Sequence, residues 1–312
     1  MQDVVLIGLG NIGMGYDLSP SGILLDQTMT HLKALSESEF YSICGVIDSE
    51  DSRLMLAREI YSVKAVSNLS EIHPTNKIGL LTIATSTQSH VEVLMSLPEN
   101  LIPRILLVEK PAGTNSRECY QIAQWANSNS TLVFVNYFRR YLPKVNDARG
   151  FVSGLHLGRL VSISINSYGS LLNIFSHFMD LGLTITGKHL FCNCPKSAYK
   201  ESESRLLLEC PNCGVRYSFS GIGLSRMTSK SRICFENYQI DIDCDGMAIQ
   251  ISKPNGDGLV FFNTSEDVYI NYQQIVYSAI MSHSADTQYL AGMNQAIEIH
   301  RFIESAGVYD GQ

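Results

Sequence analysis

Short apolar runs alternate with segments of helical period through the first 136 residues of the chain. Continuous apolar runs separated by amphipathic helical segments are typical of parallel strands that are buried on both faces of a sheet. The runs are Val4–Ile7, Tyr41–Ile47, Ile78–Ala84, Ile105–Val108 and Leu132–Asn136. We therefore predict a doubly wound α/β domain over residues 1–136, with a parallel sheet covered by helices.

The pattern changes after a connecting helix that is predicted at Leu142–Ser153. The segments that follow are partly alternating in polarity, which is typical of antiparallel strands with one face on a core. Helices are predicted at Ile174–Ile185 and Ala285–Ser305. The candidate strands are Arg159–Tyr168, His189–Cys194, Leu206–Cys210, Val215–Ser220, Ser231–Glu236, Ile240–Cys244, Met247–Ser252 and Gly258–Phe262. We predict a second, α+β domain over residues 137–312 with a large, mostly antiparallel open sheet.

Composition narrows the class of protein. Hydrophobic residues make up 45% of the chain and charged residues 17%, which suits a packed globular protein. A net charge of −7 argues against a nucleic-acid binder, because neutralising phosphates needs clustered Lys and Arg. No apolar run approaches the roughly 20 residues of a membrane span, and the chain starts on a core strand without a basic leader, so we expect a cytoplasmic protein.

A glycine-rich turn follows the first predicted strand, with the sequence Gly8-Leu9-Gly10-Asn11-Ile12-Gly13. In this context Gly8 permits a tight turn, Gly10 lets the backbone approach a pyrophosphate, and Gly13 allows close helix packing. The anion is expected on the positive N-terminus of the following helix, with Asn11 and Ile12 in the binding turn. The turn predicts a Rossmann dinucleotide site, and the alternative is an ordinary glycine-rich loop.

Asp48 ends the second predicted strand, where a carboxylate accepts hydrogen bonds from the ribose 2′-hydroxyl. The next cation along the chain is Arg53, so a 2′-phosphate would meet negative charge without a near partner, and we expect NAD rather than NADP. The spacing from Gly13 to Asp48 exceeds the usual value of about 20 residues, which indicates an insertion around Gly15–Gly22. Either a neutral surface insertion or a lid fits this segment.

The end of the fourth major strand carries Glu109-Lys110-Pro111, and the segment Ile83–His90 precedes it. With the glycine turn and the segment Asn173–Asp180, these motifs resemble the Gfo/Idh/MocA family of oxidoreductases over nearly the whole chain. The resemblance implies cofactor contacts from a group of residues in the first domain, Thr85, Ser86, His90, Glu109 and Lys110. It also implies that Lys110 polarises a substrate oxygen. The alternative for this motif alone is a surface Lys-Pro turn.

Asn173, His177 and Asp180 are spaced to share one face of the predicted helix. The resemblance implies that His177 is the catalytic acid/base, a role that suits the ordinary pKa of histidine. A buried core histidine is the alternative. Asn173 departs from the commoner aspartate of the family; it can hydrogen-bond a sugar hydroxyl or His177 but holds no charge, which loosens the expected Lys-Asp-His triad.

Further substrate contacts are expected from Arg139, Arg140 and Tyr141 at the domain junction, and from Tyr168 and Asp180. An arginine fork suits a carboxylate or phosphate. Ion pairs at the domain interface are an alternative that explains the arginines equally well.

Four of the eight cysteines, Cys192, Cys194, Cys210 and Cys213, stand in two short pairs that could form a structural zinc site. We favour instead a hairpin turn at Cys210–Gly214 without metal. The scattered cysteines predict reduced thiols.

The function that the resemblance implies is hydride transfer between NAD and a secondary hydroxyl of a sugar, cyclitol or nucleotide-sugar, with a role in surface polysaccharide synthesis as one setting. The alternatives are a reductase of another carbonyl or imine, and a catalytically silent dinucleotide-sensing regulator. We also expect a homodimer or homotetramer built on an open sheet face, because Ile233, Phe235, Phe261 and Phe262 lie on the predicted strands of the second domain.

Overall fold

The computed structural model describes residues 1–166, 175–188, 190–191, 197–202, 205–210, 212–220, 229–243, 247–282 and 292–305. The chain forms two compact units. The first comprises Met1–Phe138 and Ile270–Met293, and the second comprises Arg139–Tyr269 and Asn294–Gln312. Sequence analysis predicted a boundary near residue 136 but placed the whole C-terminal part in the second domain.

A six-stranded parallel sheet forms the centre of the first unit, in the order β3-β2-β1-β4-β5-β6. All four residues of β4 are buried, as expected for a strand that is covered on both faces. The strands are β1 (Gln2–Ile7), β2 (Tyr41–Ile47), β3 (Ala65–Val66), β4 (Leu80–Ile83), β5 (Ile105–Val108) and β6 (Leu132–Val135). The predicted doubly wound fold is confirmed. Only the two-residue strand β3 escaped the sequence analysis, because it is too short to show a pattern.

Among the described residues of the first unit, five α-helices accompany this sheet: α1 (His31–Ser36), α2 (Asp51–Tyr61), α3 (His90–Met95), α4 (Ser116–Ser128) and the later α8 (Tyr272–Met281). Helix α8 packs against α1 and buries Tyr272, Val276, Tyr277 and Ile280. Sequence analysis did not predict α8, although its buried residues recur at helical spacing.

The insertion after the glycine turn interrupts the first helix. Met14 and Gly15 donate backbone hydrogen bonds to Gly10, which closes a single turn. The chain then leaves this turn and returns at α1, where the N–H groups of His31 and Leu32 donate to the carbonyls of Ile12 and Gly13 at 3.1 and 2.9 Å. Residues between the two pieces are therefore looped out of a helix whose hydrogen bonding continues across the gap, which explains the long spacing from Gly13 to Asp48.

Two buried charges anchor this loop. The carboxylate of Asp17, which has 0% exposure, accepts hydrogen bonds from the N–H groups of Met29 and Thr30 at 2.9 and 2.8 Å and from the Thr30 hydroxyl. The ammonium of Lys33 donates to the carbonyls of Leu25 and Gln27. Asp17 thus ties the start of the insertion to its end, and Lys33 ties the insertion to α1.

The second unit contains an eight-stranded sheet in the order β14-β13-β12-β11-β7-β10-β9-β8. All neighbours pair antiparallel except β7 and β10, which pair parallel, so the predicted mostly antiparallel sheet is confirmed. The strands are β7 (Leu160–Asn166), β8 (Ser197–Ser202), β9 (Arg205–Glu209), β10 (Arg216–Ser220), β11 (Lys230–Phe235), β12 (Gln239–Asp243), β13 (Ala248–Ser252) and β14 (Val260–Asn263). Strand β8 was not predicted, and most of the predicted strand at residues 189–194 lies outside the described residues.

The helices of this unit are α5 (Pro143–Ser153), α6 (Ser176–Thr186), α7 (Glu266–Ile270) and α9 (Met293–Ser305). Helix α6 is buried along its whole length and packs on α5. A Cβ at Gly182 would lie 2.6 Å from the Ile233 side chain, so the absence of a side chain there lets α6 lie close against β11.

The covered face of this sheet corrects one prediction. Ile233 and Phe235 are buried, and the ring of Phe262 packs against Phe151 with centroids 6.0 Å apart. Of the four residues predicted on an open apolar face, only Phe261 is exposed. Strand β11 alternates exposed or half-buried residues such as Arg232 with buried ones. The homo-oligomer stays a prediction, but it can no longer be argued from an apolar face at these positions.

Within the described residues, no helix combines the length and the apolar character that crossing a membrane requires.

Replacing Asp17 by Ala should lower the free energy of unfolding by about 3 kcal/mol, because two buried backbone N–H groups lose a charged acceptor. Replacing the exposed Asp26 of the same loop by Ala should change it by less than about 0.5 kcal/mol. Chemical denaturation of the two variants measures both values. Equal losses would contradict the anchoring role of Asp17.

Candidate functional site

The glycine turn brings the carboxyl ends of β1 and β4 into backbone contact. Gly8 has φ of +101°, and a Cβ there would lie 2.6 Å from the backbone of Ala84 and 2.7 Å from that of Thr85. A Cβ on Gly13 would collide with the Gly8 carbonyl. Both positions therefore require glycine, one for conformation and close approach and the other for close approach alone.

A cavity of about 1010 Å³ lies along this edge of the sheet. That volume is at the upper end of the range of about 300–1,000 Å³ for small-molecule sites. Its lining includes Gly8, Gly10, Asp48, Arg53, Thr85, Ser86 and the segment 67–70. All of these residues belong to the first unit.

Gly10 tests whether this cavity fits a dinucleotide. A Cβ at Gly10 would meet no protein atom within 4 Å, although the residue lines the cavity. The backbone is thus exposed where a pyrophosphate needs close approach, and no packing demand explains the glycine. The helix N-terminus predicted to hold the anion is a single turn after Gly10, and the helical hydrogen bonding resumes at α1.

Asp48 lies between the glycine turn and α2. Its carboxylate accepts hydrogen bonds from the backbone N–H of Leu9 at 2.6 Å and from that of Glu50 at 2.9 Å. The guanidinium of Arg53 approaches the same carboxylate, with an N–O distance of 3.4 Å. Asp48 therefore fixes the turn as well as lining the cavity, and Arg53 lies closer to the ribose position than the sequence suggested.

Several predicted cofactor residues do not line this cavity. Asn11 is exposed, and Ile12 and Gly13 form the turn behind it. His90 is buried, with its two ring nitrogens within hydrogen-bond distance of the carbonyl oxygens of Ala112 and Thr85. It ties the loop after β4 to the loop after β5, which supports the lining residue Thr85 from behind.

Lys110 follows β5 and is half-buried, and its peptide bond to Pro111 is cis. The neighbouring Glu109 is turned into the protein, where its side chain is nearly inaccessible. One carboxylate oxygen, Oε2, accepts the backbone N–H of Lys110 at 3.2 Å. Glu109 is therefore placed as a support for Lys110, while direct contact with a cofactor is not supported by its burial.

The other oxygen of Glu109 faces two donors. His31 Nε2 lies 2.8 Å from Oε1, and the amide of Asn136 donates to the same atom. Burial alone would raise the pKa of Glu109, but the hydrogen bonds from His31 and Asn136, with the charges of His31 and Lys110, lower it below its ordinary value. Glu109 is thus a buried carboxylate anion at neutral pH.

Two residues of α8 complete this cluster. The Tyr277 hydroxyl lies 2.8 Å from His31 Nδ1 and 3.1 Å from Thr82 Oγ1, and Gln273 accepts from Asn136 at 3.4 Å. Burial raises the pKa of Tyr277 well above its ordinary value, so it stays protonated. Sequence analysis missed His31, Gln273 and Tyr277, because no motif marks them and their contacts span the chain.

His177 lies on α6 of the second unit and has 5% exposure. Asn173 and Tyr168, predicted to act beside it, lie outside the described residues. Asp180 forms a buried bidentate ion pair with Arg140, in which Nε donates to Oδ2 at 3.2 Å. Burial raises the pKa of Asp180, and the charge of Arg140 opposes this shift.

Arg140 and Asp180 are fully buried against each other, so their expected substrate contacts stay a prediction that this burial argues against. Arg139 is also buried and donates to the Tyr269 hydroxyl at 3.3 Å. Tyr141 is buried as well, which raises its pKa. The alternative of structural ion pairing thus describes Arg140 and Asp180 better.

The cysteine pairs are only partly described. Cys210 and Cys213 lie in the turn between β9 and β10, where Gly214 N–H donates to the Cys210 carbonyl at 2.8 Å. Cys192 and Cys194 lie outside the described residues. Among the described residues no group of three or more His, Cys, Asp or Glu side chains forms a metal site.

Comparison with known proteins shows what the first unit is similar to. Residues 3–137 match the Gfo/Idh/MocA model, described as an oxidoreductase family with an NAD-binding Rossmann fold. The rhizopine catabolism protein MocA of Rhizobium meliloti is 27% identical over 135 residues. That match spans 43% of this chain and only 41% of the relative.

Solved structures resemble the whole fold. A super-repressor mutant of Gal80p from Saccharomyces cerevisiae has a TM-score of 0.71 at 16% identity and covers 98% of this chain and 95% of its own. The WlbA dehydrogenase from Bordetella pertussis, in complex with NADH and UDP-GlcNAcA, has a TM-score of 0.69 at 15% identity and covers 98% and 96%. These identities establish the fold alone. The resemblance predicted from the sequence is confirmed over residues 3–137, which match the model of the Gfo/Idh/MocA family of oxidoreductases with an NAD-binding Rossmann fold.

Proposed function

We propose that this chain is an NAD-dependent dehydrogenase that transfers hydride between nicotinamide and a secondary hydroxyl, or the matching ketone, of a sugar, cyclitol or nucleotide-sugar. The observation that carries the proposal is Lys110, a cation at the carboxyl end of β5 whose backbone is held by the buried carboxylate of Glu109. Strand β5, which Lys110 follows, pairs with β4. The residues that follow β4 line the cavity beside Gly8. Open α/β sheets bind their ligands at this edge.

The cofactor would be held by residues of the first unit. The backbone at Gly8 and Gly10 would face the pyrophosphate, Asp48 the adenosine ribose, and Thr85 and Ser86 the far wall of the cavity. When bound, the nicotinamide supplies the acceptor or donor of hydride. The protein contributes orientation and charge.

Two side chains are assigned to the reacting oxygen. The Lys110 ammonium donates a hydrogen bond to the substrate oxygen and stabilises the negative charge that develops on it. His177 accepts the hydroxyl proton on an imidazole nitrogen in oxidation and returns it in reduction. Asn173, as an amide, would position the substrate hydroxyl or His177 without adding charge. The other predicted substrate contacts stay predictions: Arg139, Arg140, Tyr141, Tyr168 and Asp180.

NAD is favoured over NADP because Asp48 would repel a 2′-phosphate. Arg53 weakens this preference, since its guanidinium already lies beside the carboxylate and lines the same cavity. With Asp48 removed, the same guanidinium would be available to a phosphate. The preference for NAD over NADP thus depends on Asp48, which also binds the Arg53 guanidinium.

The substrate class rests on fold resemblance. WlbA, which shares the fold, was crystallised with the nucleotide-sugar UDP-GlcNAcA. A cytoplasmic enzyme acting on a sugar-like small molecule, assembled as a homodimer or homotetramer, is the simplest version of the proposal.

A dinucleotide-sensing regulator is the second candidate. It is favoured by the similarity to the repressor mutant Gal80p over nearly the whole chain. Under this alternative NAD binding would persist while Lys110 and His177 would be dispensable.

Replacing Gly10 by Ala should weaken NADH binding at least tenfold, about 1.4 kcal/mol, because the added methyl group occupies the space that the pyrophosphate needs. The thermal midpoint of the free protein should change little, since no protein atom lies near the new carbon. Fluorescence titration with NADH measures the affinity. Gly150→Ala, in the second unit and equally free of neighbours, is the control that should keep it. Equal affinities for both variants would rule out a dinucleotide at this turn.

Replacing Asp48 by Ser should reduce the preference for NADH over NADPH by roughly tenfold, because a carboxylate is lost and Arg53 is freed. The double variant Asp48→Ser, Arg53→Ala should lose the gained NADPH affinity. Titrations with both cofactors give the ratio. If the single and double variants bind NADPH equally, Arg53 plays no part in this preference.

Replacing Lys110 by Met or His177 by Gln should lower kcat by roughly 100-fold or more while NADH binding is kept, because each variant removes one transition-state interaction. The exposed Lys144→Met and His156→Gln serve as matched controls. Nucleotide-sugars and free polyols are screened for NAD reduction first. Full activity in both catalytic variants would refute the assignment.

A further inference from the structure

The cluster around Glu109 is a buried group of polar side chains that contributes nothing to the lining of the cofactor cavity. Its members come from widely separated parts of the first unit: His31 from α1, Thr82 from β4, Asn136 after β6, and Gln273 and Tyr277 from α8. His31 and Tyr277 have 0% and 2% exposure. Solvent therefore does not satisfy these groups, and they depend on one another.

The hydrogen positions follow from the chemistry of the partners. A carboxylate can only accept hydrogen bonds, so the hydrogen between His31 and Glu109 belongs to His31 Nε2. The tautomer is thereby fixed on that side. His31 Nδ1 faces the Tyr277 hydroxyl, whose single hydrogen goes either to His31 Nδ1 or to Thr82 Oγ1. The ring of His31 is held from both of its nitrogens.

The hydrogen bonds of the cluster extend to the backbone of Lys110. Glu109 Oε1 is occupied by His31 and Asn136, which leaves Oε2 directed at the Lys110 backbone N–H, 3.2 Å away. A carboxylate is costly to bury, and an apolar side chain in its place would avoid that cost. The carboxylate adds a hydrogen bond to the Lys110 backbone and a negative charge that interacts with the charge of Lys110.

We propose that His31 and Tyr277 are positioning residues for Lys110: they hold Glu109 in the one orientation that fixes the lysine at the end of β5. The role of His31 and Tyr277 in turnover rests on the proposed function, whereas their hydrogen bonding around Glu109 does not depend on it. The titratable groups that face Glu109 are His31 from α1, Lys110 on its own segment and Tyr277 from α8, with Tyr41 of β2 beside Tyr277.

The first test compares His31→Leu with His31→Gln, because the glutamine amide can still donate to Glu109 and leucine cannot. His31→Leu should lower kcat about 100-fold at pH 7, as expected for a misplaced reacting group, with the KM for NAD unchanged. Its kcat should fall further as the pH is lowered, since Glu109 without this donor takes up a proton. His31→Gln should recover most of kcat and the wild-type pH profile. Wild-type turnover and pH profile in His31→Leu would overturn the proposal.

The second test needs no catalysis. Both variants lack the imidazole, so the difference in their unfolding free energy isolates the donor to Glu109. Because the pKa of Glu109 is higher in the folded leucine variant, that variant binds more protons, and the difference (glutamine minus leucine) should grow as the pH rises. Urea denaturation between about pH 5 and 8 measures this difference. A flat difference would contradict the hold on Glu109.

Tyr277→Phe should lower kcat in the same direction as His31→Leu but less, because the ring of His31 keeps its bond to Glu109. The matched control is Tyr61→Phe, since the Tyr61 hydroxyl is buried and has no hydrogen-bond partner among the residues that the structure describes. The control should keep kcat. Equal losses in the two variants would count against Tyr277.

NADH titration separates this inference from the proposed function. All of these variants should bind NADH like the wild type, because none of the changed residues lines the cavity. If the wild type turns over no substrate, the proposed function fails, and the unfolding measurement still decides on His31: a difference that grows with pH supports its hold on Glu109, and a flat one refutes it.

Discussion

The first unit depends on backbone contact between the carboxyl ends of β1 and β4. At Gly8 no side chain fits against Ala84 and Thr85, and at Gly13 none fits against Gly8 itself. This approach shapes one end of the cavity, and the carboxylate of Asp48 fixes the turn further through the N–H of Leu9. This end of the cavity is therefore shaped by main chain, which Asp48 then fixes in place.

Three buried carboxylates organise the structure in different ways. Asp17 is satisfied mainly by backbone N–H groups and holds the insertion. Asp180 is satisfied by the fork of Arg140, which ties α6 to the start of the second unit. Glu109 is satisfied by neutral and imidazole donors on one oxygen and by a backbone N–H on the other. In each case several hydrogen bonds offset the cost of burying the carboxylate. Of the three, only Glu109 also binds the backbone of a lysine, Lys110, at the carboxyl end of a strand.

The sequence was sufficient to predict structural features that depend on residues near one another in the chain. Apolar runs located five strands of the first sheet, and the glycine turn and Asp48 located the cavity. It failed where a property depends on distant parts of the chain. Arg140 and Asp180 were expected at substrate because nothing local distinguishes a buried ion pair from an exposed arginine fork. Similarly, Ile233 was expected on an open face because alternation in β11 does not say which face a helix covers.

Helix α8 lies outside the residues that match the family model, yet it belongs to the same unit. The residues that line the cavity fall between 7 and 98, all within the matched range 3–137. Lys110 lies in that range too, yet the hydrogen bonds of its neighbour Glu109 run through His31 to Tyr277, which α8 supplies from far outside that range. The lining of the cavity and the hydrogen bonds around Glu109, next to Lys110, therefore have different structural origins within one unit. A relative could keep the first and lose the second by changing α8 alone, with its glycine turn intact.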